Sequence, residues 1–268
     1  MSALHGDKHK GLVAWLGDEW WNAGPTICCL EGFPGVGKTE IRRSLGGRLR
    51  AQNIQTVSVD VPEPGDAQFD DFLLSLAQEF ANEGNEVLAQ AIDDGEDAQR
   101  LIVKLATTLR TPSLLVLDEF QNALEVASGE PSRPFKKLLA NIENQGHLPG
   151  RLLLLSDRSP HQGVWSQRLI VRRVEGLAVP DGVGFLTTLL RDQKRDGEVP
   201  PDRLVDVVNW VGGNPRALRS VVAALRYEPL DELISAQPES WELREREVSP
   251  ELLRDLEAQL LAHVTSVR

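Results

Sequence analysis

Apolar residues along the chain form short runs that are separated by longer amphipathic stretches. Continuous runs lie at 27–30, 114–117 and 152–155, and an alternating β-branched run lies at 54–60. Continuous apolar runs are typical of parallel strands that are covered on both faces. A weaker run at 170–171 predicts a fifth strand. Because these runs alternate with helical patterns, the sequence predicts an α/β fold with a doubly wound parallel sheet of five strands.

Apolar side chains recur at helical spacing between the runs. This spacing predicts helices over 12–21, 41–49, 66–80 and 98–109. The acidic stretch at 81–97 reads as a surface connection with room for a short helix. Beyond residue 180 the strand pattern stops, and helices are predicted over 183–192, 201–211 and 215–226. A small helical lid domain should therefore follow the sheet.

Three domains are predicted from these patterns. Residues 1–178 should form the α/β core, residues 179–228 the helical lid, and residues 229–268 a C-terminal helical extension with a helix over 250–264.

Composition narrows the classes of protein that this chain can represent. Its 268 residues carry a formal net charge of −11, which argues against a general nucleic-acid binder. The N-terminus lacks the apolar core of a signal peptide, and no apolar run approaches the roughly 20 residues of a membrane span. Adjacent Cys28 and Cys29 are expected as buried thiols in a reducing compartment. We expect a cytoplasmic protein.

A phosphate-binding motif follows the first predicted strand. Residues 32–39 read Gly-Phe-Pro-Gly-Val-Gly-Lys-Thr, which fits G-x-x-x-x-G-K-[ST] at every fixed position. Its glycines let backbone N–H groups point at phosphate oxygens, and the following helix adds its positive end. We expect Lys38 on the β- and γ-phosphates and the Thr39 hydroxyl on Mg²⁺. The predicted nucleotide-binding residues here are Gly32, Pro34, Gly35, Val36, Gly37, Lys38, Thr39 and Glu40.

Two carboxylates follow the third predicted strand, where a phosphate loop needs a partner. Asp118 is expected to hold Mg²⁺ together with Thr39. Glu119 is expected to polarise the attacking water as a general base. With Lys38, these residues predict Mg²⁺-dependent hydrolysis of a nucleoside triphosphate; that the nucleotide is ATP is implied by the family resemblance described below.

Polar groups after two later elements complete the predicted site. Arg158 follows the fourth strand, where its guanidinium can reach a γ-phosphate; the alternative is a solvated arginine paired with Asp157. Asn214 caps a helix that begins with Pro215 and Arg216, which are placed to touch adenine and phosphates. The alternative for this helix is that it is simply well capped.

Five motifs in one order resemble the ATPase core of the STAND class (NACHT- and NB-ARC-like signal-transducing ATPases), which is related to AAA+ proteins. They lie at residues 32–39, 114–120, 152–158, 174–177 and 212–218.

The resemblance implies roles for single residues and a place for the catalytic strand. Arg158 matches the family's sensor arginine, and Pro215 matches the lid proline that touches adenine. Arg216 instead resembles the lid arginine of AAA+ initiator-type ATPases. The resemblance also implies that the catalytic strand lies between strand one and its neighbour. Residues 4–7 stand where the family has an apolar-apolar-Gly-Arg motif, from which Asp7 departs.

The main functional hypothesis is a slowly hydrolysing ATP switch whose nucleotide state, ATP or ADP, controls core–lid orientation, oligomerisation and signalling. Its expected partners are ATP and either further copies or other protein chains. No membrane contact is expected, and direct nucleic-acid binding is disfavoured but stays open. Two alternatives stay open: an AAA+ ATPase that acts on DNA as an initiator or transposition regulator, and a non-hydrolysing nucleotide-dependent scaffold. Arg133, Arg172 and Arg173 are candidates for an arginine acting on a neighbouring subunit's nucleotide.

Overall fold

The computed structural model describes residues 4–146, 148–160, 169–227 and 229–235. The chain forms two compact units. The sheet unit comprises residues 12–32 and 39–173, and the helical unit combines residues 4–11 and 33–38 with the described residues from Val174 onward. The predicted helix over 250–264 lies outside the described residues. The predicted domain boundaries near residues 178 and 228 stay a prediction.

Five parallel strands form the sheet, as predicted. They are β1 (Ile27–Glu31), β2 (Gln55–Asp60), β3 (Ser113–Asp118), β4 (Arg151–Ser156) and β5 (Ile170–Arg173), in the order β2-β3-β4-β1-β5. The expectation that the catalytic strand lies beside strand one is wrong, because β4 pairs with β1 and β3 lies between β2 and β4. Both β3 and β4 are fully buried, so their apolar patterns cannot tell which one neighbours β1.

The helices mostly match the predicted pattern. Helix α1 (Asp7–Trp15) continues through a π-helical turn at Leu16–Trp20 to Trp21–Ala23. The others up to the end of the sheet unit are α2 (Lys38–Arg50), α3 (Gln68–Asn82), α4 (Val87–Asp93), α5 (Ala98–Thr108), a 3₁₀ turn at Phe120–Ala123, and α6 (Arg133–Asn144).

One of these helices was allowed for and one was not predicted. Helix α4 is a short helix within the acidic stretch at 81–97, where room for one was expected, and it buries Leu88 and Ala91. Helix α6 was not predicted, although its buried residues recur at helical spacing and Pro134 lies in its first turn. Those buried residues are Phe135, Leu138, Leu139 and Ile142.

Both faces of the sheet are covered. On one face, Leu115, Leu117 and Leu154 pack in a single cluster with side chains of α3, α5 and α6. Successive strand residues point to opposite faces, so Leu153 faces the other way and is equally buried. The expectation that both cysteines are buried is confirmed. Burial raises the pKa of Cys28 to about 12, against a smaller lowering by Arg172.

A buried arginine ties the start of the chain to the sheet. The Arg151 guanidinium donates hydrogen bonds to the carbonyls of Trp20 (3.3 Å) and Trp21 (2.8 Å), at the end of the first helical segment. It also donates to the carbonyls of Leu148 and Gly150. Burial lowers the pKa of Arg151. The Trp21 carbonyl is one that the helix end leaves without an intrahelical partner, because residue 25 is a proline. The Trp20 carbonyl also accepts from the Gly24 N–H at 2.9 Å.

The helical unit has its own apolar core. It contains α7 (Val179–Asp192), a 3₁₀ turn at Pro201–Arg203, α8 (Leu204–Trp210), α9 (Pro215–Ala224) and α10 (Leu230–Ser235). Phe185, Leu186, Val208, Leu218 and Val222 belong to one buried cluster. The three helices predicted after residue 180 are therefore present. Across the described ranges, no helix combines the length and apolarity needed to cross a membrane.

Candidate nucleotide site

The phosphate loop has the strand–loop–helix setting that its motif requires. Strand β1 ends at Glu31, and α2 begins at Lys38. Gly35 and Gly37 have φ of +82° and +113°, in the region that side chains other than glycine rarely adopt. The Lys38 ammonium donates to the Phe33 carbonyl at 3.3 Å. Of the other predicted residues, Val36 is buried and Glu40 pairs with Arg43 at 3.3 Å.

Within the helical unit, the start of α9 contacts the phosphate loop directly. The Asn214 side-chain oxygen accepts hydrogen bonds from the backbone N–H groups of Arg216 (2.9 Å) and Ala217 (3.2 Å). Its amide nitrogen donates to the Pro34 carbonyl at 2.9 Å. The Arg216 N–H also lies 3.3 Å from the Gly35 carbonyl. The structure thus brings Pro215 and Arg216, the predicted lid residues, next to Pro34 and Gly35 of the loop.

A close backbone contact beside the start of α9 explains two of the motif glycines, Gly176 and Gly213. A Cβ on Gly213 would lie 2.2 Å from the Leu177 carbonyl oxygen, and one on Gly176 would lie 2.2 Å from that of Gly212. The Leu177 N–H donates to the Gly213 carbonyl at 2.8 Å. The sequence motifs at 174–177 and 212–218 are therefore the two sides of one close backbone contact.

His9 is a residue near the loop that sequence reasoning missed. It is buried, and its Nε2 lies 3.0 Å from the Glu175 carbonyl oxygen. A Cβ on Gly37 would lie 3.2 Å from its Cε1. Neighbouring Lys8 pairs with the Glu175 carboxylate at 2.6 Å. His9 belongs to no motif in the sequence that would have indicated its place near the loop.

In the sheet unit, Asp118 ends β3 as a buried carboxylate. Its side chain accepts a 3.0 Å hydrogen bond from the Glu119 N–H, and Arg42 Nε lies 3.8 Å from its Oδ2. Arg42 also donates to the Ser58 hydroxyl. Burial is the largest influence and raises the pKa of Asp118; the Glu119 and Asp60 carboxylates raise it further, while the Glu119 N–H and Arg42 lower it.

Arg42 is a second residue of this site that sequence reasoning missed. The sequence feature that could have identified Arg42 is its position on α2, three residues after Thr39. That spacing turns it toward the same side of the helix as the predicted Mg²⁺ ligand.

The residues at the end of β3 fit a magnesium ion. A buried carboxylate whose pKa is raised by burial and by two other carboxylates is stabilised by an added cation. In the part of the chain that the structure describes, no group of three or more His, Cys, Asp or Glu side chains could hold a metal. Mg²⁺ does not need such a group, because it commonly uses one or two protein ligands with water and phosphate oxygens. Asp118 and Thr39 are the residues predicted to hold the ion in that mode.

Glu119 has a backbone conformation that is uncommon outside glycine. Its φ is +53°, in the left-handed region, and such outliers occur often at functional sites. Its carboxylate accepts a hydrogen bond from the Gln121 amide. The Gln121 side-chain oxygen in turn accepts from the Asp157 N–H at 3.3 Å. Gln121, which sequence reasoning missed, therefore links the segment after β3 to the segment after β4.

Arg158 takes part in the same link. Its guanidinium donates to the carbonyls of Gln121 (3.3 Å) and Leu124 (3.1 Å). The structure thus brings Glu119 and Arg158 to one edge of the sheet, through Gln121. Of the candidates for a subunit-crossing arginine, Arg172 lies 4.3 Å from the Trp15 ring centroid, and Arg133 and Arg173 are exposed. All of these roles stay predictions.

A model of a known domain family, described as the AAA domain, matches residues 22–155. The chain belongs to the AAA domain family. The match covers the phosphate loop and Asp118-Glu119, and the fold is that of AAA+ P-loop ATPases. The chain is therefore a nucleotide-binding protein of the AAA+ ATPase type. No curated protein sequence matches the chain.

Solved structures with a similar fold include two of DnaA, one of them described as a replication initiator, and one of Cdc6p. AMPPCP-bound DnaA from Aquifex aeolicus is 13% identical with a TM-score of 0.51, and the match covers 90% of this chain and 68% of that one. DnaA bound to AMPPCP and single-stranded DNA is 12% identical (TM-score 0.50; 89% and 66% covered). Cdc6p from Pyrobaculum aerophilum is 17% identical (TM-score 0.51; 85% and 62% covered). The chain thus spans about two thirds of the length of these proteins, and the likeness shows the fold alone.

Replacing Asp118 by Asn should stabilise the nucleotide-free protein at neutral pH. Because the folded-state pKa of Asp118 is raised above its ordinary value of 3.8, stability falls as the pH rises from 3.8 through the raised value, and the full cost is present above it. Asp118→Asn removes this penalty and keeps an acceptor for the Glu119 N–H. We expect a higher Tm at pH 7, by about 2–4 °C for each 1 kcal/mol gained, and a gain that shrinks as the pH falls toward 3.8.

Thermal unfolding of wild type and variant at several pH values measures this gain. Asp66→Asn, at an exposed turn position, is the matched control and should leave Tm nearly unchanged. A lower Tm for Asp118→Asn at pH 7 would contradict the proposed electrostatic cost.

Proposed function

We propose that this protein binds Mg²⁺·ATP at residues 32–39 and hydrolyses it slowly to ADP and phosphate. The observation that carries the proposal is the phosphate loop in its strand–loop–helix setting, in a chain whose third strand ends in a buried Asp118 followed by Glu119. AAA domain membership supports nucleotide binding. Hydrolysis is the further step that the proposal adds.

Each residue has a separate task in this proposal. The Lys38 ammonium neutralises β- and γ-phosphate oxygens. Thr39 and Asp118 hold Mg²⁺, which supplies charge neutralisation on the same oxygens. Glu119 accepts the proton of the water whose oxygen bonds to the γ-phosphorus, while the bond from that phosphorus to the bridging oxygen breaks and releases ADP. Arg158 stabilises the charge that develops on the transferred group.

The contacts of Glu119 support slow turnover. Its carboxylate already accepts a hydrogen bond from the Gln121 amide, and its backbone is held in the left-handed region. A carboxylate that is occupied in this way must exchange that hydrogen bond before it can accept a proton from water. We therefore expect a turnover that rises when a partner or a nucleotide shifts Gln121.

Glu119→Gln should preserve ATP binding and suppress hydrolysis. The amide keeps the size of the side chain but cannot accept the proton, so we expect kcat to fall by about 10²–10³-fold with ATP affinity changed less than about threefold. Phosphate release gives the rate, and titration of a fluorescent ATP analogue gives the affinity. Glu79→Gln, on the exposed face of α3, is the control and should hydrolyse like wild type. Undiminished turnover of Glu119→Gln would place the base elsewhere.

The finer assignment to a STAND-type switch remains a hypothesis from the sequence. Its support in the structure is local: residues 33–38 of the loop belong to the helical unit, where Asn214 and the Arg216 N–H hold them. Nucleotide on the loop would therefore act directly on the start of α9. Assembly with further copies or partner chains belongs to the same hypothesis.

A second candidate function is an ATPase that acts on DNA, and the comparisons favour it over the switch. The similar structures include two of DnaA, and one of these is a replication initiator bound to single-stranded DNA. In this chain, residues 215–227 contain no acidic side chain, although the net charge of the whole is −11. Arg216, Arg219, Arg226 and Tyr227 in this segment are exposed. Arginine with an aromatic side chain suits the phosphates and bases of a single strand.

Salt-dependent binding of a labelled single-stranded oligonucleotide, in the presence of ATP, tests this second function. We expect affinity to fall steeply with salt, and the double variant Arg219→Ala/Arg226→Ala to reduce the slope of log K against log salt by about 0.7 for each arginine. Arg110→Ala, an exposed arginine of the sheet unit, should leave the slope unchanged. No binding at low salt would rule out the DNA function. An unchanged slope in the double variant would show that DNA binds at another surface of the protein.

A further inference from the structure

We propose that Asn214 is a positioning residue that locks the phosphate loop in its anion-binding form. The inference rests on the proposed nucleotide site and assigns a task to a side chain outside the motif. Asn214 is 7% exposed, and the two ends of its side-chain amide contact different segments, α9 and the loop. Its oxygen caps α9, and its nitrogen donates to the Pro34 carbonyl at 2.9 Å.

The loop segment that Asn214 contacts is a tight turn. The Val36 N–H donates to the Phe33 carbonyl at 3.3 Å, which closes a turn over residues 33–36. Pro34 is its second residue, and Gly35, with φ of +82°, is its third. Proline followed by a glycine with positive φ is the signature of a type II turn.

The central peptide of this turn can adopt two orientations. Type I and type II turns differ in the ψ of the second residue and the φ of the third, which amounts to a flip of the peptide between them. In this turn that peptide joins Pro34 to Gly35, and its carbonyl is the group to which Asn214 donates. Losing this hydrogen bond removes the contact that selects the type II orientation.

The orientation matters because phosphate-binding loops use N–H groups. In a trans peptide the carbonyl and the following N–H point in opposite directions, and the described residues contain no cis peptide. A Pro34 carbonyl held against Asn214 therefore directs the Gly35 N–H away from α9. The flipped peptide would reverse this arrangement and present a carbonyl oxygen where the N–H had pointed, which repels an anion.

The two ends of the amide can be separated by mutation. Serine is a good helix N-cap and keeps an acceptor for α9, but it carries no amide donor for the Pro34 carbonyl. Alanine removes both the cap and the donor. Serine also adds no charge, so any loss of ATP affinity cannot come from electrostatic repulsion of the phosphates.

Asn214→Ser should therefore weaken nucleotide binding without unfolding the helical unit. We expect the dissociation constants of ATP and ADP to rise about tenfold, as for loss of one buried hydrogen bond and the carbonyl left behind. We expect Asn214→Ala to weaken binding to the same degree and to lower the Tm further, because it also loses the cap. A fluorescent ADP analogue and thermal unfolding measure the two effects on the full chain.

The control is a cap variant at a distant helix. Asp97→Ser changes the N-cap of α5, whose side chain accepts from the Arg100 N–H at 2.9 Å, and should leave nucleotide affinity at the wild-type value. If Asn214→Ser does not fold, Asn214→Asp, which also keeps the cap and loses the donor, replaces it and should bind more weakly still.

The outcomes separate this inference from the proposed function. Wild-type affinity in Asn214→Ser, with binding lost in Lys38→Ala, would overturn the role of Asn214 and leave the nucleotide site intact. No ATP binding by the wild-type chain would overturn both. Equal affinity losses in Asn214→Ser and Asp97→Ser would show a general effect of capping and would also overturn the role of Asn214.

Discussion

A parallel sheet that is covered on both faces is the constraint on which the candidate site depends. Strands β3 and β4 are buried along their whole length, so their polar chemistry has to begin where the strands end. Because all five strands run in one direction, those ends share one edge. This arrangement positions Asp118, Glu119 and Arg158. The hydrogen bonds of Gln121 then connect Glu119 to Asp157 and Arg158.

Burial at that edge sets the electrostatics of the site. Asp118 is desolvated and lies near two more carboxylates, so its ionised form is disfavoured in the protein alone. Arg42 offsets part of this cost from α2, the helix that carries Thr39. A site that is less stable without its cation is suited to binding Mg²⁺ with a nucleotide, since the added charge relieves the cost.

The sequence predicted those parts of the fold and site that depend on local pattern. The five strands, the phosphate loop and Asp118 follow from short motifs and from apolar runs, which report the immediate surroundings of a residue. Helix α6 also carried such a signal, in Phe135 and Leu138, and was overlooked. The place of the catalytic strand, which the family resemblance implied, was wrong. The apolar patterns of β3 and β4 are equivalent and could not correct it.

Contacts between residues far apart in the chain were beyond sequence reasoning. Asn214 was predicted as a helix cap from its neighbours, but its hydrogen bond to Pro34 spans 180 residues. The proximity of His9 to Gly37 and the link from Gln121 to Asp157 are of the same kind. Single-sequence patterns describe what a residue can do locally, whereas these contacts depend on the completed fold.

Calorimetric titration of ATP into the full chain, with Mg²⁺ and again with a chelator, tests the central claim most directly. The account predicts one nucleotide bound per chain, tighter binding with Mg²⁺, and loss of the binding heat in Lys38→Ala. Binding by Lys38→Ala that equals the wild type, or an affinity that does not respond to Mg²⁺, would contradict it.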